Sequence, residues 1–93
     1  MLRRRAKTRY LTIMHGGQVV DAAVNSITRR CIELFGHVVA EKASIRLVRS
    51  DGTTTIIIKC RLEQLDNVLA AIALTDPPVV TLDMSATIKR LDH

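Results

Sequence analysis

The chain of 93 residues has no tryptophan, one phenylalanine and one tyrosine, so aromatic residues make up 2% of it. That scarcity argues against a surface on which successive bases stack on aromatic rings, the common way of reading unpaired RNA. Cysteine is also sparse: Cys31 and Cys60 belong to no CxxC pair, and His15, His37 and His93 are scattered. The ligand spacing of a zinc site is therefore missing. Both cysteines fall on apolar stripes, which predicts buried free thiols rather than a disulfide. No glycine-rich phosphate loop follows a strand, and no nucleophile stands beside a base, so nothing marks an autonomous catalytic centre. No apolar run approaches the roughly 20 residues that span a bilayer, and the Arg-rich start lacks the apolar core and cleavage pattern of a secretory segment. These absences predict a cytoplasmic protein that is untargeted and makes no membrane contact.

What is present begins with charge. The formal net charge is +5, and Arg3, Arg4, Arg5, Lys7 and Arg9 account for all of it, leaving the remainder of the chain neutral. A self-repelling arm over residues 1–9 suits an anionic polymer, because each phosphate contact releases condensed counterions. As a plain solvated tail it would only keep a neutral body soluble. Residues 10–93 fit one small domain.

The organising stretch is Ala43 to Arg61. Ile45 and Leu47 alternate with Ser44, Arg46 and Arg49, and Ile56, Ile58 and Cys60 alternate with Thr55, Lys59 and Arg61, which predicts two strands with one buried and one wet face. Ser50, Asp51 and Gly52 supply the turn between them. Ahead of this hairpin, Tyr10 to Met14 reads as a strand ended by Gly16 and Gly17. Val20, Ala23, Val24, Ile27, Cys31, Leu34 and Phe35 then draw a helical stripe, stopped by Gly36. His37 to Lys42 carries no clear period, and Val38 and Val39 are compatible with an early strand. After the hairpin, Leu62, Leu65, Val68, Leu69 and Ile72 step by three and four, and Pro77 and Pro78 end that helix. Val79 to Met84 reads as a last strand, with Ser85 to Leu91 extending it or adding a fifth.

The order β, α, β, β, α, β predicts an α+β ferredoxin-like two-layer sandwich, its antiparallel sheet carrying both helices on one face. The second run of the hairpin then lies at the sheet centre beside the first strand. The wet face offers Arg46, Lys59 and Arg61 to phosphates, contacts that position an RNA without reading its bases. As bland alternatives these side chains cover the sheet with their aliphatic stems. Val48 and Ile57 are expected as exposed apolar groups on that same face, which suggests a protein partner. Thr87, Lys89 and Arg90 form a further candidate phosphate contact near the end of the chain.

In order and spacing, several segments resemble ribonuclease P protein component 2, the small archaeal and eukaryotic ribonuclease P subunit family. They are Arg9-Tyr10-Leu11, Leu34-Phe35-Gly36, Ala43-Ser44-Ile45-Arg46-Leu47-Val48, Ile58-Lys59-Cys60, Ala70-Ala71-Ile72-Ala73-Leu74 and Ser85-Ala86-Thr87-Ile88-Lys89-Arg90. Ala86 stands where the family pattern usually has glycine, and the extra helical segments of longer relatives are absent here. The resemblance implies a noncatalytic, RNA-binding subunit of an endoribonuclease that removes the 5′ leader of precursor tRNA. The RNA subunit and its magnesium would perform the hydrolysis, with no cofactor bound by the protein. It further implies ribonuclease P RNA and protein component 3 as partners, in a hetero-oligomer of up to two plus two, with precursor tRNA met indirectly. The rival reading is a ferredoxin-like regulatory module that binds a small ligand or self-associates. An acyl phosphate hydrolase on this fold is weaker still, since the arginine-bearing glycine-rich loop it needs is missing.

Overall fold

Alternation commits Thr8–Met14 to a strand, β1, in which Leu11 and Ile13 are buried. The computed structural model describes residues 7–16, 19–51 and 54–87. Within them follow α1 (Val20–Phe35), α2 (His37–Ala43), β2 (Arg46–Asp51), β3 (Thr55–Arg61), a 3-10 turn (Leu62–Gln64), α3 (Leu65–Ala73) and β4 (Val80–Ser85). The four strands form one antiparallel sheet in the order β2-β3-β1-β4. The expected pairing of β1 with β3 at the centre is therefore found, and the architecture is an α+β ferredoxin-like sandwich.

One face of the sheet holds the core. Leu11, Ile13, Ile56, Ile58 and Cys60 pack in a single cluster with Ala23, Ile27 and Cys31 of α1, Ala40 and Ala43 of α2, and Val68, Ala71 and Ile72 of α3. The cluster explains why short helices survive. Isolated helices of seven and nine residues are marginal in water, but each here buries a small-residue or apolar face against the sheet. Cys31 and Cys60 are both free and buried in it, as the apolar stripes predict.

Helix α2 replaces the early strand considered for Val38 and Val39. Gly36 separates it from α1 at φ 94° and ψ 167°, a conformation essentially restricted to glycine. The break falls where a stop was expected, but the chain starts a new helix at once, burying Ala40 and Ala43. Two further departures follow from position at an edge. Leu34 and Phe35, placed on the α1 stripe, are exposed, because the core ends at Cys31 and the partly buried Ile32. Leu47 lies opposite core residue Ile58 yet is 39% exposed, since β2 is an edge strand.

Register departs from strict alternation at Val48. Arg46 and Leu47 face Lys59 and Ile58, but the next pair is Arg49 with Ile57. The bulge inserts one unpaired residue and returns Arg49 to the helix-free face. Val48 is therefore not the neighbour of Ile57 on that face. Ile57 is not exposed either: it occupies the sheet centre between Thr12 and Arg49 and is 4% accessible. It lies on a central strand with a neighbouring strand on either side, outside the cluster that the helices cover.

Candidate nucleic-acid interface

Antiparallel pairing dictates where the basic residues gather. β1 begins, β2 begins, β3 ends and β4 ends at the same edge of the sheet, as the pairs Thr8 with Arg61, Arg46 with Lys59 and Tyr10 with Ser85 require. Three stretches distant in sequence are thereby brought to one end: the root of the N-terminal arm at Lys7, the hairpin cations, and the chain leaving β4 toward Thr87. Arg3, Arg4, Arg5, Lys89 and Arg90 lie outside the described residues, so the structure places only the attachment points of those two basic segments. The backbone amide of Leu62 donates to the carbonyl of Lys7 at 2.8 Å, which pins the root of the arm to the exit of β3.

The helix-free face carries two informative rows. In the first, Arg46, Lys59, Tyr10 and Ser85 stand in line across all four strands. With neighbouring strands about 4.8 Å apart, two cations, a phenol and a hydroxyl span roughly 15 Å. In the second, Arg49, Ile57, Thr12 and Asp83 are aligned. In these two rows the positive charge lies on β2 and β3, while the acid lies on β4, where an Asp83 carboxylate oxygen accepts from the amide of Met84 at 2.8 Å.

Several of these cations are poised rather than neutralised. Arg9 donates to the carbonyl of Thr8 at 3.0 Å and Arg46 to that of Ile45 at 3.3 Å, contacts that orient each guanidinium and leave further N–H groups for a ligand. Arg46, Lys59 and Arg61 are exposed and make no ion pair among the described residues. An ion pair of Arg30 with Glu33 at 3.0 Å lies away from the sheet, one turn apart along α1. Charge-bearing groups on the sheet therefore remain available for phosphates, which need positive charge without competing carboxylates.

The sequence-predicted residues thus divide. Lys7, Arg9, Arg46, Lys59, Arg61 and Thr87 lie at or beside the cationic end. Arg49 and Tyr10 join them, although the sequence reading left them out of the site. Arg49 could have been found from its clash with strict alternation after Leu47, which already hints at a bulge. Val48 and Ile57, expected as a partner surface, are half-buried and buried. Large exposed apolar groups occur instead on β4, where Val80, Leu82 and Met84 are 50%, 53% and 48% accessible. Leu82 is the residue that falls out of register in the pairing of β4 with β1. Ala86, where glycine was expected, lies in a bend without positive φ; Ser44 alone of the described non-glycine residues has one. The substitution is accommodated without strain.

Fold and site together define a small ferredoxin-like protein whose polar charges converge on one end of its sheet. The sequence pattern of the Rpp14/Pop5 family matches residues 9–93, and the chain belongs to that family of small archaeal and eukaryotic ribonuclease P protein subunits. A search of curated proteins finds no match.

Proposed function

We propose that the chain is a noncatalytic, RNA-binding subunit of ribonuclease P, and that the cationic end of its sheet grips the backbone of the RNA component. The observation that carries this reading is the row of Arg46, Lys59 and Tyr10 across adjacent strands. Its two cations are free of carboxylate partners among the described residues. Basic side chains there offset the repulsion of converging phosphates and lower the magnesium needed to hold the RNA in its active form. Magnesium and the hydrolysis of the precursor tRNA leader belong to the RNA.

Tyr10 supplies one aromatic face at the centre of the row, enough to stack a single unpaired base beside the phosphate contacts. Protein component 3 is the expected protein partner. With Ile57 closed off, the exposed apolar edge of β4 is the better candidate for that contact.

The test is equilibrium binding to transcribed ribonuclease P RNA over a range of salt. Wild-type affinity should fall steeply as salt rises, and replacing Arg46, Arg49 and Lys59 together by glutamine should weaken binding about tenfold or more at low salt. Binding indifferent to salt, or unchanged in the triple variant, contradicts the proposed surface.

A further inference from the structure

Strand β3 continues to Arg61, whereas β2 begins only at Arg46, opposite Lys59. Cys60 and Arg61 therefore have no β2 partner, and the sheet is notched at this corner. A concavity of about 200 Å³ opens in the notch, lined by Thr8, Ser44, Lys59, Cys60 and Arg61. Thr8 is the direct cross-strand neighbour of Arg61.

The lining combines two cations and two hydroxyls with no carboxylate. Three other concavities each carry acids: Glu41 in the groove along α1, α2 and β2, Glu41 and Glu63 beyond Arg61, and Glu33 with Asp76 beside α1. Neither hydroxyl, nor the charged groups of Lys59 and Arg61, has a hydrogen-bond or ion-pair partner among the described residues. Ser44 adds a second, independent feature. It caps α2 in the left-handed conformation, φ 50° and ψ 54°, with its amide donating to the carbonyls of Ala40 and Glu41. Glycine is the usual occupant of such a cap, and non-glycine residues held there concentrate at functional sites. A serine in this place sets a hydroxyl-bearing residue at the notch where glycine would serve the backbone better.

We infer that the notch is a single-phosphate subsite, in which Lys59 and Arg61 share one phosphodiester of the RNA backbone and Ser44 and Thr8 donate to its non-bridging oxygens. The inference rests on the RNA-binding reading and sharpens it: the two cations act on one phosphate rather than on two.

The full-length chain and transcribed ribonuclease P RNA provide the test. If one phosphate is shared, Lys59→Gln or Arg61→Gln alone should change the slope of log affinity against log salt little, because the remaining cation still neutralises it, and the double variant should reduce the slope by about 0.7 to 0.9. Ser44→Gly retains the left-handed backbone, so it should melt no lower than wild type yet bind about tenfold more weakly through loss of a charge-assisted hydrogen bond. Arg29→Gln, on the outer side of α1, should leave the slope unchanged. Additive slope losses in the double variant, or wild-type affinity in Ser44→Gly, overturn the shared subsite and leave RNA binding standing. A wild-type chain that shows no salt-dependent RNA binding overturns both. Inorganic phosphate that shifts the amide resonances of Thr8, Ser44 and Arg61, while the Lys59→Gln/Arg61→Gln double variant binds RNA with an unaltered slope, would make the notch a free-phosphate site and overturn its assignment to the RNA backbone.

Discussion

Arg49 lies directly opposite Ile57 on the helix-free face of the sheet, because the bulge at Val48 inserts one residue between Leu47 and Arg49. The pair combines a charge available to RNA with an apolar group that supports the sheet from its open side. Ile57→Ala should therefore destabilise the protein by about 2 kcal/mol, the low end for truncating a buried isoleucine, since the site is covered by side chains rather than by a packed helix. Arg49→Gln should change stability by less than about 0.5 kcal/mol and weaken RNA binding. Denaturant midpoints and RNA affinity measured on both variants separate the two roles, and an Ile57→Ala midpoint equal to wild type contradicts the burial argument.

Gly36 and Gly16 make a controlled comparison. A Cβ meets nothing within 4 Å at either position, but Gly36 has φ 94° and Gly16 has no such positive φ. Gly36→Ala should cost about 1 to 3 kcal/mol through backbone strain alone, and Gly16→Ala should be neutral or slightly stabilising. Thermal melts decide between them, with equal melting temperatures for the two variants being the contrary result.

Burial pushes the Cys60 thiol up to about 11, and the neighbouring Cys31 adds charge repulsion in the same direction. The ordinary thiol value is 9.0, so the unfolded chain releases this proton first. Between pH 9 and pH 11 the unfolded state binds fewer protons than the folded one, and stability falls as pH rises. The contribution is fully present below pH 9. Urea midpoints of wild type should drop across this window more than those of Cys60→Ala; parallel pH profiles would contradict it. Neither thiol should react with an alkylating reagent in the native state.

The exposed apolar side chains of β4 lead to a prediction about assembly. Leu82→Asp removes an exposed group, so stability should change by less than about 0.5 kcal/mol, while affinity for protein component 3 should fall about tenfold or more if this edge is the contact. Co-purification and calorimetry on the reconstituted pair measure this. Undiminished affinity would move the contact elsewhere.

Legibility in the sequence followed the range of the signal. Helix α1 is readable end to end from its apolar stripe and Gly36, β3 from alternation, and β1 and β4 from β-rich runs bounded by the glycines after β1 and the prolines ahead of β4. Helix α2 was not readable, because seven residues are too few to show a helical period and Val38 and Val39 favour a strand against the helix formers Ala40, Glu41, Lys42 and Ala43; burying Ala40 and Ala43 in tertiary contacts decides for the helix. The burial of Ile57 depends on neighbours from two other strands, which no local pattern contains. Each basic group was visible as a residue, but their convergence was not: the shared end of the sheet is a property of strand order, and the bulge that turns Arg49 outward is a property of register. The notch at Ser44 depends on both, since it exists only because β3 outruns β2.

The central claim is that this cationic end joins the protein to the catalytic RNA. It is tested most directly by reconstituting precursor-tRNA cleavage with ribonuclease P RNA and protein component 3 at limiting magnesium, with wild-type protein, with Arg46→Gln/Arg49→Gln/Lys59→Gln/Arg61→Gln, and with neither. Wild type should lower the magnesium required for cleavage, and the quadruple variant, folded and still bound to component 3, should behave as though the protein were absent. Equal cleavage with the wild type and the quadruple variant would show that the RNA is not held at this end of the sheet.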